Sequence, residues 1–441
     1  MRRLVILALL FGAMQLVLPL GAGGHGSQWL LTFGFLILAA YSAGELATAA
    51  RLPKIIGYLV AGVCFGPQVL NSVTSEAVHE LQPVSSLAIA LIAYLAGAEL
   101  RWQEVRIRWR IITKVLVGEM GLAFVALAAL VYLLGSRLPF LAGTSSVEAL
   151  AFSLLFASVA VVHSPAVTMA LLTETQAGGP VARTTLGVVL VSDVVVVVLF
   201  SGVLALVRVL VPPTGAEVLA LSFTTIVWEI GGAVLVGALL GGAVALYLRF
   251  VKRELMLFAM VVAFFGMVIA QLTHVETLLT LLTAGFVTEN VSQREDGDAI
   301  RHAMERSAAP VFVVFFALAG AEMALGEIAA VWFLVLPIVA VRIGAIWTGA
   351  RLGARWAGAG PEGRMIWMGL VSQAGVAIGL ATVMAQAYPS RGALIRTIFL
   401  AVVAVNELIG PILFRAALTR SGEVVAGAGE PTPVEPHPAA R

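Results

Sequence analysis

Asp193 sits in the run Val188-Val189-Leu190-Val191-Ser192-Asp193-Val194-Val195-Val196-Val197-Val198-Leu199. A carboxylate can hold a hard cation through its oxygens or take up a proton. Placed in so apolar a stretch it is expensive, and such groups face a cavity or one another and mark ion pathways or proton relays. Arg342, in Leu336-Pro337-Ile338-Val339-Ala340-Val341-Arg342-Ile343-Gly344-Ala345-Ile346-Trp347, is the second charge in a comparable position. Two readings stay open: a structural Asp193–Arg342 ion pair that pins two helices, or a working site in which Arg342 compensates charge. His163, in His163-Ser164-Pro165, is either a packing histidine or a group that titrates near neutral pH. Glu119 and Glu229 also lie inside apolar runs, with no obvious partner, and are secondary candidates. Glu99, Glu174, Glu276, Glu322 and Glu327 read as interfacial.

The elements that must position these groups are membrane helices. Of 441 residues 60% are hydrophobic and 12% charged, and mean hydropathy is +1.00. A soluble chain carries about a quarter charged residues, so a soluble enzyme is excluded. Stretches long enough to cross hydrocarbon fall at 3–20, 28–50, 53–70, 84–100, 111–134, 148–172, 182–211, 218–249, 254–271, 277–290, 309–323, 328–350, 365–386 and 391–414. The first follows Met1-Arg2-Arg3 and precedes a glycine-rich segment. It has the layout of a secretory signal, so residues 1–26 are expected to be a cleaved signal or a dispensable first helix. Thirteen helices then make up an all-α transmembrane domain over 28–416.

Apart from Arg2, Arg3 and the intramembrane Arg342, every Lys and Arg except Arg137, Arg208, Arg391 and Arg396 falls on the side of the Arg51-Leu52-Pro53-Lys54 turn. The positive-inside rule makes that side cytoplasmic. A tail over 417–441, rich in Gly, Pro, Ala and Glu, is then cytoplasmic and expected to be disordered. The lone Cys64 allows neither an intrachain disulfide nor a cysteine-based metal site. No cofactor, nucleotide site or nucleic-acid partner is expected, and no metal beyond a transported cation. The Gly62/Gly66, Gly237/Gly241, Gly349/Gly353 and Gly375/Gly379 spacings suit close helix packing.

Two spans are interrupted, at His163-Ser164-Pro165 and at Ser372-Gln373-Ala374-Gly375. Irregular backbone at membrane depth is tolerated only where it faces protein or a watery cavity. Each break is followed by a polar pair in the next span: Ser192-Asp193 after the first, Asn406-Glu407 after the second. This reads as an inverted repeat, and paired interrupted helices point to a transporter's midplane site.

The residues resemble the monovalent cation:proton antiporters, in the branch holding bacterial sodium/proton exchangers and Kef-type potassium/proton systems. The resemblance covers roughly residues 30–420. It rests on Leu52-Pro53-Lys54-Ile55-Ile56-Gly57-Tyr58-Leu59-Val60-Ala61-Gly62 through Gly66-Pro67, Ala96-Gly97-Ala98-Glu99-Leu100, Ser164-Pro165, Asp193 and Phe315-Phe316-Ala317-Leu318-Ala319-Gly320. It continues with Ser372-Gln373-Ala374-Gly375-Val376-Ala377 and Asn406-Glu407-Leu408-Ile409-Gly410-Pro411. The resemblance implies two broken helices crossed at the midplane, an aspartate at 193 that binds cation and proton in turn, a basic partner at 342, a homodimer and an elevator-like movement.

Two departures bear on stoichiometry. Ser192 stands where the family has Asp or Asn and carries no proton, and a guanidinium at 342 does not deprotonate. One titrating carboxylate implies one H⁺ per Na⁺, K⁺ or Li⁺, hence electroneutral exchange. His163 replaces a small hydroxyl residue, and its titration would break that expectation. The expected site is therefore Asp193, Ser192, His163 and Ser164 with carbonyls freed at the first break, Arg342 as charge compensation, and Pro165, Gln373 and Gly375 shaping the breaks. A bacterial inner membrane is the expected location. A Na⁺-coupled carrier of a small organic solute and a transport-inactive sensor of the same fold are the alternatives.

Overall fold

Prolines and glycines set where the helices of this chain begin and end. The computed structural model describes Gly12 and residues 25–211, 223–250, 255–293, 310–323, 325–373 and 375–425. The expected signal over 1–26 lies outside these, apart from Gly12, His25 and Gly26. The helices are α1 (His25–Ala49), α2 (Lys54–Phe65), the short α3 (Ser75–Glu80), α4 (Gln82–Ala98), α5 (Trp102–Leu134), α6 (Ser146–Ala160), α7 (Pro165–Thr175) and α8 (Pro180–Leu210). They continue with α9 (Phe223–Phe250), α10 (Leu255–Leu272), α11 (Thr277–Val291), α12 (Pro310–Glu322), α13 (Leu325–Ala357), α14 (Gly375–Ala387) and α15 (Pro389–Arg420). Helices α4, α7, α8 and α15 carry proline in their first turn, where its missing N–H would have had no helical partner.

Among the described residues there is no strand. Seven helical segments are long and apolar enough to cross a membrane, α6 and α7 counting as one, and six shorter apolar helices accompany them. These thirteen match the number the sequence predicts. One span departs from its expected form. The segment before the second break is two 3-10 turns, Pro361–Arg364 and Ile366–Gly369, not an α-helix. It passes tightly between neighbours: a Cβ on Gly369 would stand 2.4 Å from Thr185 and 2.8 Å from Phe414.

The helices sort into two bundles. One joins α5, α6, α7, α8, α13, the 361–369 turns, α14 and α15; the other joins α4, α9, α10 and α11, and α1, α2 and α12 pack on one another. Within the first, α5–α7–α8 and α13–α14–α15 occupy corresponding places, each with an interrupted span between two long helices. The two halves meet along α5 and α13. A Cβ on Gly349 would stand 2.3 Å from the Gly118 carbonyl oxygen, and one on Gly353 2.2 Å from that of Lys114, so only glycine permits this approach. The expected packing role of Gly349/Gly353 is met, as is that of Gly237/Gly241 against Thr280 and Ala284 of α11.

At the C-terminus, α15 runs to Arg420, and residues 421–425 pack against the bundle. Val425 N donates to Thr175 O at 3.1 Å. The Glu423 carboxylate accepts from Val181 N at 2.7 Å and Ala182 N at 2.9 Å. Residues 417–425 are thus ordered, a correction to the tail expected from 417. The sequence shift to Gly, Pro and Ala marks composition but cannot reveal that Glu423 caps α8, whose own N-cap Gly179 has no side chain to do so.

Candidate functional site

The first break forms because Pro165 opens α7 and disfavours helical backbone at the residue before it. Ser164 is extended there, and its Oγ accepts from Val167 N at 3.2 Å, capping α7. The carbonyls left over at the end of α6 are taken by Arg342 of α13. Its Nε donates to Ala160 O at 2.8 Å, one terminal nitrogen to Val162 O at 2.7 Å, and the other to Val371 O of the second break at 2.6 Å. Gln373 Nε2 also donates to Ala160 O, at 2.9 Å, and its Oε1 accepts from Asn406 Nδ2 at 2.8 Å. One guanidinium and one amide thus tie the two interrupted segments together, which places the breaks side by side. Gly375 opens α14 just beyond this knot.

This geometry corrects the expectations for Arg342. Asp193 makes no ion pair with it among the described residues, and both Asp193 carboxylate oxygens are buried without a hydrogen-bond partner. The guanidinium is fully buried and spent on three carbonyls. The carbonyls of Ala160 and Val162, just before the 163–165 break, are occupied. The physical reason is that a broken helix presents a row of orphaned acceptors, and a planar five-donor group satisfies several at once.

Asp193 lines a cavity of about 400 Å³ between the two bundles. Beside it stand His163, Ser164 and Pro165 of the break, Ile89 and Ala93 of α4, Glu229 of α9, Gln271 of α10, Glu276 before α11, and Gly379 of α14. Glu229 near the start of α9, Gln271 at the end of α10 and Glu276 at the start of α11 all belong to the end of the bundle opposite the Arg-rich segment 101–114. The ion pairs Lys54–Glu45 at 2.8 Å, Arg101–Glu289 at 2.9 Å and Arg183–Glu104 gather at that other end.

The remaining candidates separate. Ser192 is buried and donates to Val189 O of its own helix at 2.6 Å, so its hydroxyl proton is already committed. His163 Nε2 stands 2.9 Å from Glu119 Oε1, with both side chains wholly buried. Asn406 belongs to the knot. Glu407 is buried with Oε1 unpartnered, but it is not part of the cavity wall. Glu229 is in that wall.

Sequence reasoning missed two partnerships. Glu119 has a partner, His163, from a different helix, which no spacing rule could show. Glu276, expected at the interface, shares the cavity with Asp193. It caps α11, accepting from Leu279 N. Burial pushes its carboxyl above the ordinary range, opposed by the Leu279 and Leu278 N–H groups and reinforced by Glu229. The signal was a glutamate at the start of a short apolar span, which is also an N-cap position.

Comparison with known proteins bears on the fold and the family. Residues 33–419 match the model of the transmembrane sodium/hydrogen exchanger family. The chain belongs to that family. Two structures of the sodium proton antiporter MjNhaP1 from Methanocaldococcus jannaschii share its fold. One has a TM-score of 0.62 at 16% identity over 91% of this chain and 97% of the other; the second has 0.66 at 14% over 89% and 97%. Among curated proteins, human transmembrane and coiled-coil domain-containing protein 3 is 31% identical over 90 residues, 20% of this chain and 13% of that protein. The iron transporter MagA of Paramagnetospirillum magneticum is 29% identical over 175 residues, 38% of this chain and 36% of that protein. These matches thus span well under half of either relative. A place in the exchanger family explains why two interrupted helices are held side by side: family and fold are those of transporters.

Proposed function

We propose that this exchanger moves a monovalent cation, Na⁺, K⁺ or Li⁺, against H⁺, with Asp193 holding one or the other in turn. The observation that carries the reading is that Asp193 is buried at the wall of a cavity between two bundles with neither oxygen partnered. A carboxylate without a donor or counter-charge is stabilised by a proton or by a cation, not by both together. A dehydrated cation would be held by the Asp193 oxygens, with the Ser192 oxygen as a second-ranked ligand. An arriving proton would neutralise Asp193 and release the cation.

Exchange is electroneutral in this reading, because Asp193 is the one cavity group at midspan whose charge the cargo replaces. Arg342 cannot contribute a proton, since a guanidinium stays charged. The cavity extends from Asp193 toward the end away from the Arg-rich segment, which makes this an outward-facing state if that segment is cytoplasmic. Rocking or sliding of the Asp193 bundle against the other would expose the site to the cytoplasmic side. A homodimer in a bacterial cell membrane, held through the second bundle, fits this movement.

Purified protein in liposomes with an internal pH dye tests the reading. A proton gradient is imposed and Na⁺, K⁺ and Li⁺ are added in turn, with and without a clamped potential. Cation-specific dissipation that ignores the clamp is expected. Dissipation that follows the potential would place a second titrating group in the cycle, with His163 the first to substitute. A cavity of this size also lies in the range that holds small organic molecules, which is the observation favouring a Na⁺-coupled solute carrier. No proton movement with any cation would shift the reading there.

A further inference from the structure

Helix α13 packs on α5 through Gly349 and Gly353 and leaves another face bare. Trp332, Phe333, Leu336, Trp347, Leu352 and Trp356 are exposed there, three to five residues apart or at multiples of a turn. In a membrane span such a stripe faces lipid, and its indoles suit the boundary with water. Near its end the stripe turns cationic. Arg351 and Arg355 follow Trp347 at four-residue intervals, Arg364 joins them from the 361–364 turn, and the three line a recess of about 570 Å³ with Gly360 and Pro361. Arg355 lies thirteen residues beyond Arg342, about 20 Å along the helix. Hydrocarbon reaches about 15 Å from the bilayer centre, so with Arg342 at the breaks near that centre the guanidiniums stand at headgroup depth. Lys114 Nζ donates to Trp356 O at 2.8 Å, which sets the recess at the end that bears the Arg-rich segment 101–114.

These arginines are not spent within the protein. The carbonyls that a basic side chain at a helix C-terminus would cap are already taken: Ala354 O by Ala359 N at 2.9 Å, Arg355 O by Gly358 N at 3.0 Å, and Trp356 O by Lys114. Among the described residues no carboxylate pairs with Arg351, Arg355 or Arg364. Arg351 lies over the Trp347 ring, 4.7 Å from its centroid, and its Nε is buried without a hydrogen-bond partner. Glu362 accepts from Gly360 N at 3.2 Å and is not part of the recess wall. Planar guanidinium forks match phosphate oxygens in pairs. We propose that this recess binds the phosphate headgroup of an anionic phospholipid in the cytoplasmic leaflet, with Arg351, Arg355 and Arg364 on the phosphate and the acyl chains along the exposed stripe of α13. Basic pockets at the cytoplasmic side of membrane helices take such headgroups. A soluble phosphate would meet the same three forks but would leave the adjoining apolar stripe unused, and that continuity favours the lipid. Because α13 also carries Arg342, a lipid held here attaches the Asp193 bundle to one leaflet.

The test titrates the purified full-length protein in detergent with phosphatidylglycerol or phosphatidylcholine and counts bound lipid by native mass spectrometry. Wild type is expected to bind phosphatidylglycerol on the order of a hundredfold more tightly, as three cationic side chains near the surface allow. Arg355→Gln combined with Arg364→Gln should cut that preference roughly thirtyfold. Arg106→Gln combined with Arg110→Gln, an equal loss of charge at exposed positions on α5, should leave it nearly unchanged. No preference in wild type, no loss in the Arg355/Arg364 variant, or equal losses in the two double variants overturns the proposal. Excess glycerol 3-phosphate should fail to displace the lipid; displacement would assign the recess to a soluble phosphate and overturn the lipid assignment. A photoactivatable phosphatidylglycerol on wild type, an arm that needs no variant to fold, should label the segment 347–364, and labelling confined to other segments overturns the proposal too. Every arm reads binding and none reads transport, so the result stands or falls apart from the exchanger reading.

Discussion

At the residue scale, Asp193 carries a cost that, in the proposed reading, its cargo relieves. A buried carboxylate with no donor is unfavourable, and Na⁺ binding to it should stabilise the fold by mass action, about 2.7 kcal/mol at a hundred times the dissociation constant. Asp193→Asn is expected to insert and fold with a melting temperature no lower than wild type, to lose the Na⁺-dependent rise in melting, and to abolish exchange. A variant that still exchanges would remove Asp193 from the carrier role. Arg342 has the opposite character: its three acceptors make it structural. Arg342→Met leaves the buried Val162 and Val371 carbonyls without donors at about 1–3 kcal/mol each, Ala160 O keeping Gln373, so detergent-solubilised protein should melt markedly earlier. Arg342→Lys, with a single ammonium in place of a fork, should recover only part of that loss. The sequence makes Asp193 and Arg342 legible because charges in apolar runs stand out. Their relation is not legible, because it depends on which carbonyls the broken helices leave over.

At the element scale, helix ends matter more than helix middles. Both interruptions and the repeat could be read from Pro165, Gly375 and the polar pairs that follow them, since these residues punctuate otherwise uniform apolar stretches. The 3-10 form of 361–369 could not be read there, where Gly369 lies close against Thr185 and Phe414. Helix α8, which carries Asp193, is capped from outside by Glu423. A carboxylate on a helix N-terminus gains from two N–H groups and the helix dipole, typically about 1 kcal/mol. Glu423→Ala should lower the melting temperature by an amount consistent with that, and removing residues 421–441 should do the same. A truncated chain as stable as wild type would show that the cap contributes nothing. Ser164→Ala, which removes the cap of α7, should cost a similar amount and distort the cavity wall beside Asp193 as well.

At the scale of the whole molecule, the cavity that Asp193 lines extends toward the end where Glu229, Gln271 and Glu276 stand, between the bundle that carries Asp193 and the other. Gly379 lines it with open space around its Cα. In a background where Cys64 is replaced by serine, Gly379→Cys should react with a membrane-impermeant thiol reagent added outside, and saturating Na⁺ should slow the reaction. Reaction from the cytoplasmic face alone would reverse the orientation. The helix count and the charge asymmetry were both available in the sequence, because hydropathy and Lys/Arg placement are properties of segments. The sorting into two bundles and the sharing of the cavity by Glu276 were not, because they arise from contacts between segments far apart in the chain.

Competition at a single carboxylate is the central claim, and the pH dependence of the Na⁺ requirement tests it most directly. Half-saturating Na⁺ for exchange should be measured in liposomes from acid to alkaline pH with equal pH on both sides. If one proton competes with one cation at Asp193, half-saturation rises about tenfold for each pH unit on the acid side, while the saturated rate stays level. A half-saturation indifferent to pH, or a slope of two protons per cation, would contradict the account.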